Sequence, residues 1–149
     1  MELDCWISLL KITMSKVEQT LSLIKPDAVE RNLEEEIKQF FIKSGFKITK
    51  QKKVKLEKKD AEIFYKVHET KPFYNDLCNY LSSGPIVAMI LEKVDAVSEN
   101  RKVMGATDPI KADEGTIRKK YGLSIDKNSV HGSDSIENAS KEINFFFKT

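Results

Sequence analysis

The most apolar stretch of the chain, PIVAMILE, runs from Pro85 to Glu92. An unbroken apolar run of this length, rich in branched residues and preceded by a glycine, is typical of a strand that is buried on both faces. The run therefore predicts the central strand of a sheet. A chain of 149 residues suits one hydrophobic core, so we expect one domain.

Shorter patterns on both sides of this run predict a small sheet covered by helices, which is an α+β sandwich within the α/β class. Strand patterns occupy Thr20–Lys25, Phe46–Leu56 and Asn128–His131. Apolar residues at helical spacing predict five helices: from near Asp27 to a stop at Gly45, from Asp60 to His68, from Tyr74 to Leu81, from Val94 to Met104, and from Ser133 to Phe147 with Ile136 facing inward.

The basic segment from Lys47 to Lys59 alternates with Ile48, Val54 and Leu56. This alternation favours a half-exposed strand over a nucleic-acid-binding patch. The formal net charge of +2 adds no reason to expect a specific nucleic acid partner.

The first residues, MELDCWISLLKIT, lack the positive segment and small-residue cleavage site of a signal peptide. Because MSKVEQT resembles an ordinary start, we interpret residues 1–13 as an N-terminal extension that is not translated or is disordered, and residues 14–149 as the domain. The alternative is a short amphipathic arm that packs on the surface or on a partner. Cys5 and Cys78 form no CxxC pair, and no apolar run approaches the ~20 residues that span a bilayer, so we predict a reduced, cytoplasmic protein with no membrane partner.

Two arginines occupy unusual positions. Arg101 shares helical spacing with Val94, Val97 and Met104, and Arg118 follows a long loop in GTIRKKYG. A cation on an apolar stripe is costly unless it is paired or faces a cleft. Spacing alone leaves open an ion pair with an acidic neighbour and an anion-binding cleft.

His131 lies in SVHGSDS, among small hydroxyl and acidic residues. A neutral imidazole is a competent nucleophile, Gly132 would leave room for a bulky group, and Ser133 would cap the following helix, whose N-terminus favours negative charge. The pattern suits a histidine that accepts an anionic group. The alternative is a core histidine satisfied by hydrogen bonds. The phosphate-binding motifs GxxxxGK[ST] and GxGxxG and the protein-kinase motifs are absent from the sequence.

Five segments, which occur in order at nearly ungapped spacing, closely resemble the nucleoside diphosphate kinase family from about Val17 to Phe147. They are TLSLIKPDAVER, HETKPFYNDLCNYLSSGPIVAMILE, GATDP, GTIR and NSVHGSDSIENASKEI. The resemblance implies a ferredoxin-like βαββαβ fold with a four-stranded antiparallel sheet and added helices. It also implies ping-pong transfer of the γ-phosphoryl group of ATP to a nucleoside diphosphate through a phosphohistidine, with Mg²⁺ held mainly by the nucleotide phosphates.

The resemblance assigns site residues one by one. His131 corresponds to the phosphorylated histidine, Tyr65 and Ser133 to residues beside it, and Glu142 to the partner of its distal ring nitrogen. Phe73 corresponds to the aromatic residue that stacks on the base, which tolerates every base because each has a π-face. The phosphate and ribose contacts correspond to Lys25, Arg101, Thr107, Arg118 and Asn128, of which Lys25 and Asn128 reach the ribose 3′-hydroxyl.

The resemblance further implies a homo-oligomer, a tetramer or a hexamer built from dimers. Asp108 departs from the asparagine that is common at its position, and its side chain either adds negative charge near the phosphates or only caps the loop. Two other hypotheses are a nucleotide-binding module without catalysis and a DNA-binding regulator. Since His131 and all the matching cations are present, the sequence favours the enzyme.

Overall fold

The computed structural model describes residues 17–147, and a four-stranded antiparallel sheet lies at its centre. The strands are β1 (Val17–Ile24), β2 (Lys47–Val54), β3 (Ile86–Val94) and β4 (Val130–Gly132), in the order β2-β3-β1-β4. Because β3 pairs with β1 on one side and β2 on the other, the predicted central position of the PIVAMILE run is confirmed. The predicted N-terminal extension lies outside the described residues.

Seven α-helices and one 3₁₀ turn, Lys66–His68, connect and flank these strands within residues 17–147. The α-helices are α1 (Pro26–Glu30), α2 (Glu34–Lys43), α3 (Lys58–Phe64), α4 (Tyr74–Leu81), α5 (Ala96–Met104), α6 (Ile117–Tyr121) and α7 (Ile136–Phe146). Helices between β1 and β2 and between β3 and β4 produce the ferredoxin-like βαββαβ arrangement, with α3, α4 and α7 added. In this part of the chain no helix has the length and apolarity needed to cross a bilayer.

The sheet separates two hydrophobic clusters, and β3 contributes to both. Val87, Met89 and Leu91 join the cluster beneath α2, α5 and α6, whereas Ile86 and Ala88 join the cluster beneath α3, α4 and α7. Full burial of a large apolar side chain stabilises a fold by about 1.5–3 kcal/mol. The strand that serves both clusters is therefore apolar at nearly every position, as its sequence predicted.

β2 is an edge strand, and its lysines are exposed. The predicted half-exposed strand is confirmed, and it begins and ends within two residues of the predicted bounds. Lysines on an edge strand also discourage unwanted strand pairing.

Two predicted helices differ from the structure by a few residues. α3 ends at Phe64 rather than His68, and α5 begins at Ala96 because Val94 is the last residue of β3.

Two other predictions about helix ends are wrong by more. The single helix expected from Asp27 to Gly45 is divided into α1 and α2, because the chain turns at Asn32, whose φ of +60° is left-handed. The last helix begins at Ile136 rather than Ser133, and Ser135 caps it by accepting from the Asn138 amide at 3.0 Å.

Ile136 was expected to face inward, but it is 64% exposed. The buried positions of α7 are Ala139 and Phe146, so Ile136 lies at the edge of the buried face and in the first turn. This correction follows from the later start of the helix.

Candidate active site

His131 lies on β4, a strand of three residues at the edge of the sheet. It pairs with Leu23 of β1, whose side chain belongs to the cluster beneath α3, α4 and α7. Val130 belongs to the opposite cluster. Strand alternation therefore turns the imidazole towards α3 and α7 and turns the side chain of Val130 towards the helices on the other face.

Glu142 of α7 fixes the orientation of the His131 ring. Its Oε1 lies 2.8 Å from Nε2 of His131, and Oγ of Ser133 donates to the same oxygen at 3.0 Å. Ser133 also accepts from the Leu21 amide at 3.4 Å, which ties this group to β1. Because a carboxylate only accepts, the proton is assigned to Nε2, and Nδ1 retains its lone pair. Ser133 was expected to cap the last helix, but its hydroxyl instead donates to Glu142.

Aromatic side chains surround the imidazole. The ring centroids of Phe64 and Tyr65 lie 5.3 Å and 6.3 Å from that of His131, both edge-on. Burial, and next the charge of Glu142, raise the pKa of Tyr65 above its ordinary value. The hydroxyl of Tyr65 therefore stays protonated and can donate a hydrogen bond.

A cavity of about 330 Å³ opens beside His131 and is also lined by Tyr65, Glu142 and His68. Burial, and next the charge of Lys71, lower the pKa of His68. The helical pattern of the sequence places His68 only at the end of a predicted helix. The signal that could have identified it is that it is the other histidine of the chain, three residues after Tyr65.

A second cavity, of about 490 Å³, lies on the other side of β4 and contains Arg101, Thr107 and Arg118. The two cavities adjoin, since Gly132 and Asp134 line both. Gly132 and Asp134 thus border both the cavity of His131 and the cavity of the cations, and the two adjoining cavities at the end of β4 are together called the cleft.

Gly132 is required for a different reason from the one expected. A Cβ at this position would collide with the side-chain amide of Asn100 and would lie 2.7 Å from Cε of Met104. The space beside Gly132 is occupied by α5, so the glycine allows close packing of α5 against β4 rather than the entry of a bulky ligand.

Arg118 is a buried cation that has no carboxylate partner among residues 17–147. It is 9% exposed, and its Nη1 and Nη2 donate to the carbonyl oxygens of Gly105 at 3.0 Å and Val130 at 2.9 Å. Burial, and next the charge of Arg101, lower the pKa of Arg118 to about 10. The guanidinium remains charged at neutral pH, and the carbonyl oxygens hold it in a fixed direction.

The ion-pair alternative for the two arginines is wrong within residues 17–147, where neither of them forms a salt bridge. Arg101 is also exposed rather than part of an apolar stripe. The buried positions of α5 are Ala96, Val97, Asn100 and Met104. The uncompensated charge of both arginines instead favours the anion-binding cleft.

Lys25, at the end of β1, is 6% exposed, and its Nζ donates to Oδ1 of Asn128 at 2.9 Å. Nδ2 of Asn128 in turn donates to the carbonyl oxygen of Thr107 at 3.1 Å. These contacts join Lys25 to the cavity that contains the arginines. Burial, and next the charge of Arg118, lower the pKa of Lys25 to about 8.

Phe73 is 47% exposed, and its ring centroid lies 6.0 Å from that of His68, which lines the cavity of His131. Asp108 caps its own loop, because Oδ1 accepts from the Ile110 amide at 3.0 Å. This contact agrees with the alternative in which the Asp108 side chain caps the loop.

The predicted site residues thus gather around β4. Tyr65, His131 and Glu142 line the first cavity, and Arg101, Thr107 and Arg118 line the second. Direct contacts join Ser133 to Glu142, Asn128 to Thr107, and Lys25 to Asn128.

Asp134 is the acidic side chain common to both cavities. Asn138 Nδ2 donates to it at 2.6 Å, and this hydrogen bond is the main reason that the pKa of Asp134 is lowered. In the described part of the chain, no group of three or more His, Cys, Asp or Glu side chains could hold a metal ion. The donor set fits a divalent cation that arrives on phosphates, because Mg²⁺ commonly takes one or two carboxylates and substrate phosphates as ligands.

Comparison with known proteins decides the family. A sequence profile described as nucleoside diphosphate kinase matches residues 18–149. The chain belongs to the nucleoside diphosphate kinase family. It is an enzyme of the phosphotransferase class that acts on nucleotides.

Individual relatives agree with the family profile. The nucleoside diphosphate kinase of Persephonella marina is 55% identical over 131 residues, which cover 88% of this chain and 94% of that protein. The crystal structure of the nucleoside diphosphate kinase from Aquifex aeolicus has a TM-score of 0.87 at 40% identity and covers 89% of this chain and 96% of its own. The apo enzyme from Encephalitozoon cuniculi has a TM-score of 0.86 at 39% identity, covering 89% and 90%. The predicted ferredoxin-like fold of the nucleoside diphosphate kinases is confirmed.

Proposed function

We propose that this nucleoside diphosphate kinase transfers the γ-phosphoryl group of ATP to nucleoside diphosphates through a phosphohistidine on His131, and so maintains the pools of ribo- and deoxyribonucleoside triphosphates. One observation carries the proposal. An imidazole oriented by Glu142 lies in the same cleft as Arg118, a buried cation that donates to two carbonyl oxygens and has no carboxylate partner within residues 17–147.

The first half-reaction forms a P–N bond and breaks a P–O bond. The lone pair on Nδ1 of His131 attacks the γ-phosphorus, and the bond from the γ-phosphorus to the bridging oxygen breaks, so that ADP leaves with that oxygen. The proton remains on Nε2, where Glu142 stabilises the positive charge that develops on the ring. In the second half-reaction a terminal oxygen of the nucleoside diphosphate attacks the phosphorus, and the P–N electron pair returns to Nδ1.

Positioning and charge stabilisation supply most of the catalysis of phosphoryl transfer. Arg101, Arg118 and Thr107 would contact the phosphates, and the protonated hydroxyl of Tyr65 would donate to the transferring group. The Lys25–Asn128 pair would bind the ribose 3′-hydroxyl, since a lysine and an amide together offer several donors and an acceptor. Phe73 would stack on the base.

Magnesium would be held mainly by the nucleotide phosphates, with Asp134 as the carboxylate that faces it. Its chemistry is to neutralise part of the phosphate charge. The arginines of the second cavity would add further positive charge. Asp134, which lines the same cavity and whose lowered pKa keeps it ionised, would be the negative group that faces the metal.

The test is the intact mass of the protein after mixing with ATP and Mg²⁺. We expect a gain of one phosphoryl group, which is lost in acid or on addition of a nucleoside diphosphate. His131→Ala should abolish both the mass gain and turnover, because it removes the attacking nitrogen. His68→Gln is the matched control, since it changes the other histidine of the same cavity and should still gain one phosphoryl group.

A folded wild-type protein that binds nucleotide without gaining mass would favour a nucleotide-binding module instead. Labelling that persists in His131→Ala would assign the phosphoryl group to another residue.

We also propose a homo-oligomer, a tetramer or a hexamer, in the cytoplasm. Exposed apolar side chains support the assembly, among them Ile110, which is 85% exposed at the tip of its loop. A monomeric mass by light scattering would contradict it.

A further inference from the structure

Asp27 has a buried carboxylate whose two oxygens both carry hydrogen bonds. The residue is 6% exposed and lies in the first turn of α1, two residues after Lys25. Oδ1 accepts from the hydroxyl of Tyr80, and Oδ2 accepts from Arg31 Nη2 at 3.2 Å and from Ser129 Oγ at 3.3 Å. Three segments that are distant in sequence, α1 with its C-cap residue Arg31, the end of α4 and the segment before β4, therefore meet at one carboxylate.

Tyr80, at the end of α4, holds Asp27 at two points. Its hydroxyl donates to Oδ1 of Asp27 and accepts from the Asp27 amide at 2.9 Å. Burial is the main reason that the pKa of Tyr80 is raised, so the hydroxyl stays a donor at neutral pH. One phenol thus fixes both the side chain and the backbone of Asp27.

Asp27 and Arg31 together fix the position of Ser129. Its φ of +77° is in the left-handed region, which is unfavourable for a residue with a Cβ and persists only where surrounding contacts enforce it. Asp27 and Arg31 hold its hydroxyl, and Arg31 Nη2 also donates to the carbonyl oxygen of Tyr121 at 2.6 Å. The residue is fully buried.

Ser129 also connects directly to the two residues proposed to bind ribose. It follows Asn128 in the chain, and its carbonyl oxygen accepts from the Lys25 amide at 2.8 Å. The turn at Ser129 therefore sets the distance between the backbone of Lys25 and the backbone of Asn128, whose side chains meet at 2.9 Å.

We infer that Asp27, fastened by Tyr80 and Arg31, is a positioning residue that holds Ser129 in its left-handed turn and so sets the geometry of the Lys25–Asn128 pair. None of Asp27, Tyr80 and Ser129 lines the cavities of His131 and Arg118, so the group acts through that pair rather than by touching the reacting atoms. The inference rests on the proposed function, in which Lys25 and Asn128 bind the ribose 3′-hydroxyl.

Tyr80→Phe is the mildest test, because it removes one hydroxyl and keeps the ring. The phosphorylated enzyme is prepared with ATP and Mg²⁺, and its dephosphorylation is followed with ADP and with 3′-deoxyadenosine diphosphate. We expect the variant to lose about tenfold in rate with ADP, because small displacements of positioning groups are costly. With the 3′-deoxy nucleotide it should lose less than about twofold, since that substrate has no hydroxyl for the displaced pair to bind.

Tyr74→Phe is the matched control. Tyr74 lies on the same helix, and its hydroxyl donates to the Glu62 carbonyl oxygen at 2.9 Å, away from Asp27. This variant loses one tyrosine hydrogen bond of α4 but should keep the wild-type preference for ADP over the 3′-deoxy nucleotide.

A rescue variant separates positioning from general destabilisation. Glycine adopts a positive φ without the steric cost of a Cβ. Ser129→Gly introduced into Tyr80→Phe should therefore recover part of the lost preference, whereas Ser129→Ala, which keeps the Cβ and removes the hydroxyl, should lower the preference by itself. Ser129→Ala also serves if Tyr80→Phe does not fold.

Equal losses with both nucleotides, or an unchanged preference in Tyr80→Phe and Ser129→Ala, would overturn the inference. Those outcomes leave the phosphohistidine intact and so differ from failure of the proposed function, in which the wild-type protein would gain no phosphoryl group at all.

Discussion

The two sides of the cleft differ in how completely their polar and charged side chains are paired with partners in the protein. On the side of α7, His131 Nε2 meets Glu142, Glu142 meets Ser133, and Ser133 meets the backbone of β1. On the side of α5 and α6, Arg118 has two carbonyl partners, and neither Arg101 nor Arg118 has a carboxylate partner among residues 17–147.

This difference indicates which parts of the site are complete before the nucleotide binds. The imidazole of His131, the proposed nucleophile, is already oriented, and the contact with Glu142 already sets its tautomer. The guanidinium of Arg118 is fixed in direction by its two carbonyl partners, but it is a buried charge without a carboxylate partner among residues 17–147, which is unfavourable until phosphates enter. Substitutions on the two sides should therefore have different consequences for stability and for activity.

Among substitutions that leave His131 in place, the largest expected effect is on the cation side. Arg118→Met should lower kcat/KM by about 10²–10³-fold, because a preorganised cation that stabilises transition-state charge is lost. The melting temperature should change little, since relief of a buried charge offsets the loss of two hydrogen bonds. Steady-state kinetics and thermal unfolding measure the two effects.

Lys120→Met is the control for Arg118→Met, because it removes an equal charge from the exposed side of the same helix. It should leave kcat/KM near the wild-type value. A large fall in melting temperature for Arg118→Met would mean that the buried cation stabilises the fold, and the contrast between the two sides would fail.

The next effect is on the histidine side. Glu142→Gln keeps a hydrogen-bonding group of similar size but removes the charge that stabilises the protonated ring. We expect kcat to fall by up to about 100-fold with little change in KM, because Glu142 contacts the His131 ring and does not line the cavity that contains the arginines. Equal changes in KM and kcat would instead indicate that Glu142 takes part in nucleotide binding.

The smallest expected effect is a pH dependence of kcat/KM that arises from the titration of Lys25. Its pKa of about 8 lies below the ordinary 10.5, so in the free enzyme Lys25 loses its charge as the pH rises through about 8. We expect kcat/KM to fall above this pH. Lys25→Arg should lack this fall, since arginine stays protonated, and an unchanged alkaline limb in Lys25→Arg would assign the titration to another group.

The same shift has a consequence for stability. Because the unfolded chain binds the Lys25 proton more tightly than the folded protein, the stability contributed by this group rises with pH between about 8 and 10.5. Below that range both states are charged, and the buried ammonium lowers the free energy of unfolding. Lys25→Met should therefore raise the free energy of unfolding at neutral pH by about 2 kcal/mol, as measured by denaturant unfolding.

Sequence patterns predicted the strands better than the helix ends. PIVAMILE was assigned to the central strand correctly because a strand buried on both faces must be apolar along its length. The break at Asn32 and the cap at Ser135 were missed, since apolar spacing continues across a turn and several serines near a helix start offer equivalent hydroxyls.

The sequence by itself determined the family and the types of residue in the cleft, because a histidine, an adjacent glycine and particular cations at nearly ungapped spacing form a specific combination. The identity and order of those residues are read directly from the sequence, and the chemistry of each side chain is intrinsic. Only the tertiary structure decided that Arg101 is exposed, that Gly132 admits α5 rather than a ligand, and that Asp27, Tyr80, Arg31 and Ser129 converge. The physical reason is that these contacts join α1, α4 and the segment before β4, and the packing of helices against a sheet is not encoded in the spacing of any one segment.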